Sequence, residues 1–206
     1  DRVDWGTFYP RLFKSSEYGI AWSGNPFNIH AGNLFGALLR APCAACWTLL
    51  VHRDCLTENI RFAENYPTWE DYWFFCRLSE SHDLLFMDCP TAENRGHTGP
   101  RLTQTQRAKA LECYLDMCER IYFPSTSPNK PPNEIISKHY RNACTALFKE
   151  YLKNGEYLKA RIFAKSVEES YGFEDDLTLP LYRIAALLPF DVTNRLVRLK
   201  RSIVGG

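Results

Sequence analysis

Apolar residues recur at helical spacing through most of the second half of the chain and at mixed spacing through the first. Ala108, Leu111, Leu115 and Cys118 fall on one face of a helix predicted over residues 105–121. A second helix is predicted over 135–153, ending at Asn154-Gly155, and a third over 156–170, ending at Gly172. These two read as one helical hairpin, with Ala160 and Ala164 small enough for close packing. Two short amphipathic helices are predicted over 178–189 and 191–201. Residues 124–133 hold Pro124, Pro128, Pro131 and Pro132 among Ser, Thr and Asn, the composition of a surface linker.

The first half is more broken. Trp5, Phe8, Tyr9, Leu12 and Phe13 predict a short helix within residues 1–16, interrupted at Pro10. Residues 18–23 predict a strand, followed by a turn region rich in Gly, Asn and Pro. Asn33 is placed to cap a helix over 34–39. Residues 47–52 alternate loosely and predict another strand, and residues 62–67 a loop. A helix over 69–79 and a strand over 84–87 complete the pattern. The strand leads into a polar loop carrying Arg95, Gly96, His97 and Gly99, a setting suited to ligand contacts.

The helix at 69–79 begins on Glu70 and Asp71, followed by Tyr72, Trp73, Phe74 and Phe75. Two readings fit. Acidic residues favour the first turn of a helix, where free N–H groups point outward, and Thr68 is placed to cap it. A carboxylate held against an aromatic wall also loses solvation, which raises its pKa and suits it to act as a base.

Composition narrows the field. With 206 residues and 45% hydrophobic content, the chain can bury one sizeable core with an appendage. Its net charge of +1 gives no global field for nucleic acid. Residues 1–100 carry 8 Lys and Arg against 12 Asp and Glu, whereas residues 101–206 carry 17 against 12, which predicts a seam near residue 100. Arg195, Arg198, Lys200 and Arg201 alternate with apolar residues, as a solvated helix face or a peripheral membrane contact would. Eight cysteines are present, several within apolar runs. The Cys43-x2-Cys46 pair has the spacing of half a zinc site or of a redox pair, but it has no second pair and sits among alanines, so buried thiols are expected there. With no secretory signal in view, a reduced cytoplasmic setting is expected, at the inner face of a membrane if the basic segment binds one. No GxGxxG or GxxxxGK[ST] pattern occurs.

The order of motifs resembles a known family. Residues 47–54 (WTLLVHRD), Phe62, Glu70-Asp71-Tyr72, Arg77, the strand running to Pro90, and then Arg95 and His97 are similar to the second half of a family 2 glycosyltransferase catalytic domain. The resemblance covers about residues 1–105. The helical remainder, 106–206, is similar to extensions attached to bacterial members. It implies an α/β fold: a partial GT-A (nucleotide-diphospho-sugar transferase) domain lacking its N-terminal nucleotide-binding half, followed by an all-helical tail.

The resemblance also implies roles. Asp71 matches the catalytic base. Glu70, Trp69 and Tyr72 would support the loop or the acceptor, and Arg77 matches a structural basic position. Arg95 and His97 would face the diphosphate. Asp1, or alternatively Asp4, would end the metal motif, with His97 near the metal, a Mg²⁺ or Mn²⁺ ion suited to hard oxygen donors. The implied reaction is inverting transfer of a sugar from a nucleotide-sugar donor to a carbohydrate or glycolipid acceptor, active only with the missing half. Two rivals remain: a non-catalytic helical adaptor or protein-interaction module, and a hydrolase using Glu70, Asp71 and His97. The latter lacks an evident nucleophile.

Overall fold

The computed structural model of the protein describes residues 11–40, 46–93 and 107–171. Asp1, Asp4, Cys43, Arg95 and His97, and the helices predicted over 178–189 and 191–201, lie outside the described residues. The chain divides into two compact units, Asp1–Tyr140 and Arg141–Gly206. The seam that the charge balance predicts near residue 100 therefore falls inside the first unit.

The first unit contains a three-stranded sheet. Strands β1 (Arg11–Lys14), β2 (Asn28–Gly32) and β3 (Leu84–Met87) lie in that order, and both pairings are antiparallel. Leu12 pairs with His30, and His30 with Phe86. The helical spacing read across residues 1–16 is not realised at Arg11–Lys14, where pairing with β2 wins over local periodicity. Residues 18–23 do not form a strand either. They belong to the connection between β1 and β2, which opens on a 3₁₀ turn at Ser15–Tyr18. It reverses where Trp22 and Asn25 exchange backbone hydrogen bonds across left-handed Ser23 and Gly24. A left-handed pair of this kind is what a tight two-residue hairpin turn needs.

After β2, α1 (Phe35–Leu38) is a single turn rather than the longer helix expected over 34–39. Asn33 does cap it: its Oδ1 accepts the Phe35 N–H at 2.9 Å. Its Nδ2 donates to the carbonyls of Ser79 at 2.8 Å and His82 at 3.1 Å, at the far end of the next long helix. Leu34, Phe35, Leu38 and Leu39 are all buried, so the carbonyls of this short turn cannot reach water. Three tyrosine hydroxyls satisfy them. Tyr72 donates to Leu38 O, Tyr114 to Leu39 O at 2.8 Å, and Tyr122 to Phe35 O at 3.1 Å. An unpaired buried carbonyl would cost about 1–3 kcal/mol, so this arrangement makes a buried one-turn helix tolerable.

The strand expected over 47–52 is absent. A 3₁₀ turn covers Cys46–Thr48, and another covers Arg53–Cys55, where His52 Nδ1 accepts the Asp54 N–H at 3.4 Å. Loose alternation gave no neighbouring strand to pair with, and local side-chain bonding takes over.

Helix α2 (Glu70–Ser81) follows the prediction closely. Tyr72, Phe74, Phe75, Cys76 and Leu78 face the core, and Phe35 stacks on Tyr122 at 4.7 Å beside them. Helix α3 (Arg107–Met117) runs on into a π turn at Cys118–Tyr122. The proline-rich stretch after it is tied down rather than a free linker. Ser127 Oγ donates to Glu80 O at 2.7 Å, Lys130 Nζ donates to Phe123 O at 2.7 Å, and Ser125 is buried.

Helix α4 (Asn133–Lys153) starts in the first unit and ends in the second, and α5 (Tyr157–Tyr171) belongs to the second. Between them Gly155 takes φ +76°, Glu156 N–H reaches Tyr151 O at 2.8 Å, and Gly155 N–H reaches Leu152 O at 3.2 Å. This pair of bonds is a Schellman stop, which pairs the carbonyls that end α4. Tyr151 then packs edge-on against Phe163 at 6.0 Å, and Ala160 and Ala164 are buried, as the small-residue spacing predicts.

Candidate functional site around Asp71

The start of α2 departs from an ordinary helix cap. Trp69 occupies the N-cap position with φ +68° and ψ +18°, and no side chain caps the helix. Thr68, the expected cap, is buried at 5% exposure and makes no such bond. A bulky non-glycine residue in the left-handed region costs about 1–3 kcal/mol, and such outliers cluster at functional sites. Packing holds Trp69 there: its ring meets Tyr72 at 4.8 Å and Tyr114 edge-on at 5.9 Å. Tyr72 itself is 5% exposed, with its hydroxyl on Leu38 O, so its ring anchors the helix and presents no open face to a ligand.

Asp71 is half-buried and Glu70 is exposed. The Tyr72 backbone N–H donates to Asp71 Oδ1 at 2.7 Å. Burial raises the Asp71 pKa, and the charge of Glu70 raises it further, while the backbone N–H groups of Tyr72 and Asp71 pull it down. A helix N-terminus also favours the ionised form by a few tenths of a kcal/mol to about 1 kcal/mol. The net shift is nevertheless upward, so desolvation decides the outcome. Among the described residues neither carboxylate has an ion pair, so no cation offsets the cost.

Cys46 belongs to this site. It is exposed rather than buried as its alanine-rich surroundings predict. Burial of part of the thiol, then the charge of Asp71, then that of Glu70 raise its pKa. The charges of Asp71 and Glu70 are therefore felt at the 3₁₀ turn Cys46–Thr48. Cys113 feels Glu70 as well, and its pKa rises to about 11, chiefly through burial. Sequence spacing singled out Cys46 only as part of a Cys-x2-Cys pair and gave no sign of the coupling of either thiol to the carboxylates, which are distant in sequence.

Arg77 has a structural setting. It pairs with Glu80 at 3.2 Å, donates to Arg120 O at 3.2 Å and lies over the Trp73 ring at 5.0 Å. A groove of about 670 Å³ is lined by Trp73, Arg77 and Glu80 and by residues 57–62, and it does not include Asp71 or Glu70. Among the described residues no group of three or more His, Cys, Asp and Glu side chains is placed to hold a metal. Arg95, His97 and Asp1 lie outside those residues, so the site comprises Trp69, Glu70, Asp71 and Cys46, with Tyr72 and Tyr114 behind. No protein family, curated protein or solved structure matches the chain.

Proposed function

We propose that this chain is the acceptor side of an inverting glycosyltransferase of GT-A type, with Asp71 as general base. One observation carries the proposal. Asp71 is a partly desolvated carboxylate without a cation partner among the described residues, held next to a strained Trp69, and its pKa is raised. A carboxylate of higher pKa takes up a proton more readily, and the ideal catalytic pKa approaches the working pH.

In the proposed step an acceptor hydroxyl attacks the anomeric carbon of a nucleotide sugar. The new C–O bond forms as the bond to the diphosphate breaks, and that oxygen leaves with the electron pair. The hydroxyl proton passes to Asp71. Glu70 lies at the open side of the pair, where an acceptor hydroxyl can donate to it, and Trp69 offers the partly exposed aromatic edge. The donor-binding region that this reaction needs is a further part of the proposal and is not among the elements described above. The resemblance implies a divalent metal, but the described residues supply no fitting donor set, so no step is assigned to one.

The test is Asp71→Asn in the enzyme completed with a donor-binding region. Transfer falls by roughly 100- to 10,000-fold while donor affinity is kept. Unchanged transfer removes Asp71 as the base. The adaptor reading draws on a separate observation, the outer face of α5, where Leu158 is 72% and Ile162 62% exposed. Partner capture that is lost on Leu158→Glu and indifferent to Asp71→Asn would favour it.

A further inference from the structure

The groove on the far side of α2 has a chemistry of its own. At about 100° per residue, Trp73, Arg77 and Glu80 lie roughly 120–180° around the helix from Asp71, so this groove is a separate surface. Its volume, about 670 Å³, falls within the range of about 300–1,000 Å³ typical of small-molecule sites.

Its aromatic part is fixed from behind. Phe62 stacks on the buried Phe74 at 4.7 Å with the rings 11° from parallel, yet remains 48% exposed. Trp73 is held edge-on by Tyr66 at 5.3 Å and covered by the Arg77 guanidinium. A ring ordered before binding loses little entropy when a ligand stacks on it.

Its polar part is open. Glu58, Asn59, Ser81 and His82 line the groove, and their side chains make no hydrogen bond or ion pair among the described residues. Its formal charges balance, with Glu58 and Glu80 against Arg61 and Arg77. A phosphate or a polyanion would meet two carboxylates there, and a polycation would meet two guanidinium groups.

From an exposed, backed aromatic ring, unpaired donors and acceptors and balanced charge, we infer that this groove binds a neutral oligosaccharide. A sugar has an apolar C–H face to lay on Phe62 and hydroxyls that both donate and accept, to pair with Asn59, Glu58 and His82. The inference rests on the groove alone and stands whether or not Asp71 is a base.

The experiment is titration of the isotope-labelled 206-residue chain, followed by amide chemical shifts. The probes are neutral tetrasaccharides of glucose, mannose, galactose and N-acetylglucosamine, with tetragalacturonate and inorganic phosphate as anionic controls. At least one neutral tetrasaccharide shifts the amides of residues 57–62 saturably. Phe62→Ala weakens that binding by about tenfold, the loss of one stacking contact. Asn59→Ala, a fully surface change, weakens it severalfold and guards against a folding defect in Phe62→Ala. The inference is overturned if no neutral tetrasaccharide binds saturably, if an anionic control binds more tightly, or if Asn59→Ala leaves the affinity unchanged.

Discussion

The hydroxyl of Tyr72 donates to the carbonyl of Leu38, tying the helix that carries Asp71 to the buried single turn of α1. Tyr114 and Tyr122 do the same for Leu39 and Phe35. Removing one hydroxyl leaves a buried carbonyl unpaired. Tyr72→Phe and Tyr122→Phe should therefore each destabilise the chain by about 1–3 kcal/mol in urea unfolding, although each deletes only one oxygen. Losses below about 0.5 kcal/mol would mean that these carbonyls find other partners.

Asp71 makes the opposite prediction for stability. Its folded-state pKa lies above the unfolded-state value of about 3.9, so the fold favours the neutral carboxyl. That contribution is fully present below about pH 3.9 and is lost as pH rises through the raised folded value. At neutral pH the ionised Asp71 works against the fold. Asp71→Asn should then melt higher than the wild type at about pH 7, with the gain vanishing below about pH 3. A carboxylate that costs stability at neutral pH fits a functional role.

Cys46 reports on the same carboxylates. Burial, then the charges of Asp71 and Glu70, raise its pKa, so the carboxylates lower further a thiolate fraction that is already small at neutral pH. Asp71→Asn should speed alkylation of Cys46 by iodoacetamide at about pH 8, as read by peptide mass spectrometry, and Glu70→Gln should do so to a smaller extent. An unchanged rate would separate Cys46 from the carboxylate pair.

Two glycines separate backbone need from space. Gly155 has φ +76°, so Gly155→Ala should cost about 1 kcal/mol. Gly36 sits in helical backbone, and an added Cβ would meet Pro131 Cγ at 3.5 Å, an ordinary contact. Gly36→Ala should be neutral or stabilise by up to about 1 kcal/mol.

The legible parts of this chain are those with long, regular apolar spacing. The helices at Glu70–Ser81, Asn133–Lys153 and Tyr157–Tyr171 lie within two residues of their predicted bounds. The short strands β1 and β2 were not legible, since four or five residues carry too little periodicity and need a partner to define them. Residues 47–52 had the alternation but no partner, and formed turns instead. At the candidate site the carboxylate pair was plain in the sequence. Its setting was not. The left-handed Trp69, the tyrosine-to-carbonyl bonds spanning 34, 75 and 87 residues, and the electrostatic coupling of Cys46 to the carboxylates all arise from packing between distant segments.

The most direct measurement is a pH titration of the Asp71 side-chain carboxyl by carbon-detected NMR in the 206-residue chain. A midpoint above the ordinary aspartate value of about 3.9, moving down when Glu70 is replaced by Gln, is the predicted result. A midpoint at or below about 3.9, or one that ignores Glu70→Gln, would make Asp71 an ordinary helix-start carboxylate and contradict its role as a base.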